Sequence, residues 1–121
     1  MTPRDLVDKF LRSLEARDLP TAAAFLAPGM VMTFPGNKRM ASLQELVAWS
    51  KDRYRKVTKT YHRFDEFTAG DVTTIYCSGV LNGEWISGQP LKDIRFIDRF
   101  EIKNGLITDQ QVWNDLAEFR P

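Results

Sequence analysis

The chain has 121 residues, 43% hydrophobic and 27% charged, with a formal net charge of +1. That length suits one domain, residues 1–121, and the balanced charge argues against nucleic acid or an anionic membrane as partner. A single cysteine, Cys77, excludes an internal disulfide and fits a reducing, cytoplasmic setting.

The opening MTPRDLVDKF carries charges where a signal peptide needs an apolar core. No apolar run approaches the ~18 residues of a membrane span. Thr2-Pro3 followed by Asp5 reads as a helix start, and Leu6, Val7, Phe10, Leu11 and Leu14 recur at helical spacing. Asp18 and Pro20 open a short second helix, TAAAFLA, which Pro28-Gly29 stops. Met30 to Phe34 is a brief strand ended by Pro35-Gly36. Ser42 with Glu45 makes a capping box before a third helix bearing Leu43, Leu46, Val47, Trp49 and Tyr54.

From Val57 the pattern turns to β, with strands near 57–68, 72–86, 91–103 and 106–114 separated by Gly- and Asn-containing turns. Helices first and a meander of long strands after is α+β organisation. One curved antiparallel sheet wrapped around the N-terminal helices would enclose a pocket. The glycines at 79, 83 and 88 sit in or beside strands, where they relieve crowding or permit bends rather than bind phosphate.

The strand IRFIDRFEIK holds the main chemical clue. Ile94, Phe96, Asp98, Phe100 and Ile102 share one face, so a lone carboxylate sits on an apolar surface. Such a group must find partners or shift its pKa upward. If Phe34, Trp49, Trp85, Phe96 and Phe100 line the same cavity, a neutral Asp98 could donate a hydrogen bond to a ligand oxygen, and an ionised one could take a proton. The bland reading is that Asp98 pairs with His62, Arg63 or a backbone amide. His62, the only histidine, is the natural acid/base companion, but its strand has mixed faces and a surface position is the competing reading.

The hairpin at Asn104-Gly105 leaves its second strand open to two registers. A two-residue loop would turn Ile107, Asp109, Gln111 and Trp113 toward the Asp98 face. A three-residue loop with a bulge would turn Thr108, Gln110, Val112 and Asn114 there instead. Six cationic residues between Lys51 and Arg63 read as a solvated helix C-terminus. One His and one Cys fall short of a usual zinc site, and no phosphate loop, GxSxG or HExxH occurs, so no metal or cofactor is expected.

Together the helix ending in LEARDL, the segment FLAPGMVMTFPG, the capped third helix and the hairpin FIDRFEIKNGLI resemble the SnoaL-like branch of the nuclear transport factor 2-like superfamily, which includes ketosteroid isomerases and polyketide cyclases. The resemblance implies a cone-shaped α+β barrel with a deep pocket, often a homodimer through the outer face of the sheet. It favours the bulged register, with Gln110 and Asn114 inward and Trp113 outside. Asp98 falls at the position of the oxyanion-hole Asp of ketosteroid isomerases. Phe10 and Phe34 fall where that family has its Tyr and its proton-transferring Asp, so ketosteroid isomerisation is not expected. Two functional expectations follow. One is a pocket for a small, largely apolar molecule bearing a carbonyl or hydroxyl group, lined by Phe10, Phe34, Trp49, Trp85, Phe96, Phe100, Gln110 and Asn114. In it, Asp98 would serve as general acid/base, His62 being its companion, in cyclase-, isomerase- or hydrolase-like chemistry. The other is a non-catalytic ligand-binding or dimerisation module.

Overall fold

In the computed structural model, which describes residues 1–121, Thr2 caps the first helix, α1 (Pro3–Glu15). Its hydroxyl accepts from the Asp5 backbone N–H at 3.1 Å. Leu6, Val7, Phe10, Leu11 and Leu14 form its buried stripe. The second helix, α2 (Leu19–Ala23), is shorter than its sequence suggests, and the chain is already extended at Leu26.

Strand β1 (Leu26–Phe34) runs straight through Pro28-Gly29, correcting the reading of that dipeptide as a helix stop. Its register against the neighbouring strand shifts between Leu26 and Val31. At such an irregularity Pro28 has no ladder N–H to forfeit, and Gly29 adopts φ +78 without penalty. After the short β2 (Lys38–Met40) comes α3 (Leu43–Ser50). There the Ser42 hydroxyl accepts from the Glu45 N–H at 3.2 Å, and the Glu45 carboxylate accepts from the Ala41 N–H at 3.0 Å. Tyr54 lies beyond this helix and begins β3 (Tyr54–Ala69), so the cationic stretch 51–63 is mostly strand rather than a helix end.

The remaining elements are β4 (Val72–Trp85), β5 (Pro90–Lys103), β6 (Leu106–Asn114) and a terminal turn of helix, α4 (Leu116–Phe119). The six strands make one curved sheet in the order β2-β1-β6-β5-β4-β3, antiparallel except where β1 runs parallel to β6. The sheet does not close: β2 and β3 are its two edges. α1 lies on the inner face, where Phe10 meets Phe100 edge-on with ring centroids 6.1 Å apart.

Two bulges set what points inward. Asn104 and Gly105, both at positive φ, form a two-residue turn that pairs Lys103 with Leu106. The register then slips between Ile102 and Glu101, so Thr108 is absorbed as an extra residue. Ile107 therefore faces the core, and so do Gln110 and Val112, while Trp113 is exposed. The tight turn and the bulge, offered by the sequence as alternatives, coexist. In β3 the slip falls between Tyr61 and Arg63, with His62 as the extra residue. Tyr61 and Phe64, three apart, then share the inner face with rings 4.9 Å apart.

Glycine is required where β3 and β4 come together. A Cβ on Gly79 would lie 1.9 Å from the Thr60 carbonyl oxygen, and one on Gly83 would lie 2.1 Å from that of Lys56.

Candidate active site: a buried Lys-Asp pair beneath a small cavity

Asp98 is fully buried at the centre of β5, opposite Cys77 of β4. Its partner is the ammonium of Lys59, a residue the sequence reading did not single out. Lys59 is in register with Leu81, and Asp98 with Cys77. The β4 residue between them on that face is Gly79, so no side chain lies beneath the Lys59 stem as it crosses from β3 to β5. The Lys59 Nζ also lies 5.1 Å from the centroid of the Phe96 ring, in cation–π range.

The backbone of Lys59 is tied to the end of α1. Its N–H donates to a Glu15 carboxylate oxygen at 2.9 Å, and its carbonyl accepts from Arg12 at 2.9 Å. The backbone of Lys59 is thereby held in place.

Burial pushes the Asp98 carboxyl above the ordinary carboxylate range, and the adjacent ammonium only partly offsets it. The same carboxyl holds the Lys59 ammonium above the ordinary lysine range against the opposing effect of burial. Asp98 Oδ1 is buried with no hydrogen-bond partner. Desolvation also pushes the Cys77 thiol up to about 12 and raises the Tyr54 phenol.

Lys59 is where this pair meets open space. It forms part of the wall of a cavity of about 80 Å³, together with the apolar Leu11, Leu14, Phe34, Leu46 and Val57. Glu15, Arg17, Ser50, Tyr54 and Gln110 complete the lining. Gln110 is 1% exposed, and its amide oxygen has no partner. Asp98 itself is absent from that wall. The side chain that links it to the cavity wall is Lys59.

The other residues singled out from the sequence divide among three places. Phe10, Phe96 and Phe100 are core, with Phe34 and Gln110 at the cavity. Trp49, Trp85 and Asn114 line a separate groove of about 420 Å³. His62 is exposed on the opposite face of the sheet from Asp98, in an open groove with Ser78, Ile97 and Trp113. The structure does not bring His62 and Asp98 together. Sequence reasoning missed Lys59, Tyr54, Glu15 and Arg17. The signal for Lys59 was its alternation with Val57 and Tyr61, obscured by the bulge at His62.

Residues 7–110 match the SnoaL-like domain family. The chain belongs to that family. Solved structures agree on the fold of this SnoaL-like domain. An NTF2-like protein of unknown function from Burkholderia pseudomallei is 17% identical, with 96% of this chain and 92% of that one covered and a TM-score of 0.75. TerC, co-crystallised with polyporic acid, is 12% identical, with 95% and 92% covered and a TM-score of 0.74. A protein of ketosteroid isomerase-like fold from Catenulispora acidiphila, in complex with trimethylamine, is 16% identical, with 97% and 89% covered and a TM-score of 0.72. No curated protein matches this chain. None of its helices is long and apolar enough to cross a membrane.

In chemical terms, the ammonium of Lys59 can donate to, and polarise, an oxygen placed in the cavity. Asp98 behind it keeps that ammonium charged despite its burial. The unpartnered Gln110 oxygen can accept from a hydroxyl.

Proposed function

We propose that this SnoaL-like domain binds a small, largely apolar molecule through a carbonyl or hydroxyl group set between Lys59 and Gln110. The observation that carries this reading is the pairing, in one mostly apolar wall, of a charged donor and a partnerless acceptor. A buried polar atom without a partner costs stability, and a ligand supplying the missing hydrogen bond would recover it. At about 80 Å³ the cavity admits the functional end of a ligand and not a whole drug-sized molecule.

Asp98 then acts through Lys59, keeping on that ammonium the proton that a developing oxyanion would draw on, in cyclase- or isomerase-like chemistry. The test is thermal melting with 2-naphthol and 2-acetonaphthone as probes. A rise in melting temperature for the natural chain, absent in Lys59→Met, supports the site; equal shifts in both remove it. If the domain is an enzyme, Asp98→Asn should keep binding and lose roughly 10²–10⁴-fold in rate.

A non-catalytic binding role has its own support: Asp98 is cut off from the cavity, and Phe10 and Phe34 stand where the isomerases carry Tyr and Asp. Stabilisation by ligands without turnover would decide for it. A homodimer through the outer face of the sheet fits the exposed Ile97 and Trp113, which are register partners there. The free buried thiol of Cys77 fits action in the cytoplasm.

A further inference from the structure

Two spaces lie back to back. The inner cavity is walled by Phe34 and Tyr54, and the outer groove by Trp49 and the same Tyr54. Phe34 packs on Trp49 with ring centroids 5.2 Å apart, so one layer of aromatic side chains divides the two. The outer groove holds about 420 Å³ and has a floor of Trp49 and Trp85, the latter only 5% exposed.

Its charges are all of one sign. Lys38, Arg53 and Arg120 line the groove, and no Asp or Glu does. None of the three cations is in an ion pair, although nine such contacts occur elsewhere in the chain. Arg53 instead stacks over Trp49, its guanidinium carbon 4.2 Å from the ring centroid. An aromatic floor beneath unpaired cations suits a flat apolar body carrying an anion.

We infer that groove and cavity form one site for an amphipathic carboxylate. Its anionic head lies with Lys38, Arg53 and Arg120, and its apolar body covers Trp49 and Trp85. Its neutral carbonyl or hydroxyl end reaches Lys59 and Gln110 once Phe34 swings aside. This names the substrate class for the cavity reading and rests on it.

The probes are 6-hydroxy-2-naphthylacetate and its methyl ester, which share an apolar body and a far hydroxyl and differ in charge, with binding followed by tryptophan emission. The acid should bind the natural chain about tenfold more tightly than the ester, the worth of one charge-assisted contact. Arg53→Gln should erase that preference, while Arg53→Lys, which keeps the charge, should retain most of it. High salt should shrink the preference, and circular-dichroism melts confirm that each variant is folded. Equal affinity for acid and ester, or a preference that survives Arg53→Gln, overturns the anion site and leaves the cavity reading standing. Failure of both probes to bind overturns both.

Discussion

Lys59 on β3 and Asp98 on β5 are joined across an intervening strand, over Gly79, the one position there without a side chain. The sheet thus carries an ion pair between strands that share no backbone ladder. Breaking one partner should cost more than the pair is worth, because it strands a charge in the core.

Lys59→Met should therefore lower stability by about 3–5 kcal/mol at neutral pH, the usual cost of an unpaired buried charge. Asp98 is already pushed up by burial, and the variant removes the one group pulling it down. Its native state then holds a proton that the unfolded chain releases, so stability recovers as pH falls through the native value. Urea denaturation at mildly acid and mildly alkaline pH checks this; a deficit equal at both would sink it. Adding Asp98→Leu to Lys59→Met should restore much of the loss.

Cys77 should resist thiol reagents in the native protein. Its pKa, about 12 against an ordinary 9.0, leaves almost no thiolate at mildly alkaline pH. The thiol is neutral in both states well below pH 9, so it shifts no stability there. Above that the unfolded chain ionises first, and stability falls as pH rises toward about 12. Labelling with a disulfide reagent should run at the rate of unfolding, and rapid labelling of folded protein would contradict the burial.

Gly79→Ala should be far more damaging than Gly29→Ala. A Cβ at 79 would sit 1.9 Å from the Thr60 carbonyl oxygen, whereas one at 29 meets nothing within 4 Å. The first forces β3 and β4 apart, at about 3 kcal/mol or more, and the second meets only the left-handed backbone cost of about 1 kcal/mol. Similar melting temperatures for the two variants would show that the edge strand yields easily.

Trp113→Glu should leave the fold intact, since that indole is 49% exposed, and change stability by no more than about 0.5 kcal/mol. If the outer face joins two copies, the same change should convert a dimer to a monomer in sedimentation. A dimer that persists would move the interface elsewhere.

The strand pattern of β4 to β6 was legible because alternation and turn residues agree: the sequence places β6 at 106–114, as observed. The burial of Asp98 was legible for the same reason. Its partner was not. Lys59 belongs to a run of cations that reads as solvated, and the bulge at His62 reverses the phase midway, so neither face of β3 looks apolar. Pro28-Gly29 misled in the opposite sense, because breakers of regular structure are also the residues a bulge tolerates. Tyr54 was claimed for α3 by its spacing, which cannot reveal that the helix ends at Ser50.

The absorbed residue at Thr108 has a consequence for anyone who would redesign the interior. Were the ladder beyond Ile107 regular, the same amino acids would present Asp109, Gln111 and Trp113 inward, setting an acid and an indole on either side of a different amide. Two different linings are thus encoded in one short segment, and the choice rests on backbone geometry at a single site. Diversifying the hairpin by adding or removing a codon near Thr108 would explore new specificities that no library of point substitutions at Gln110 contains.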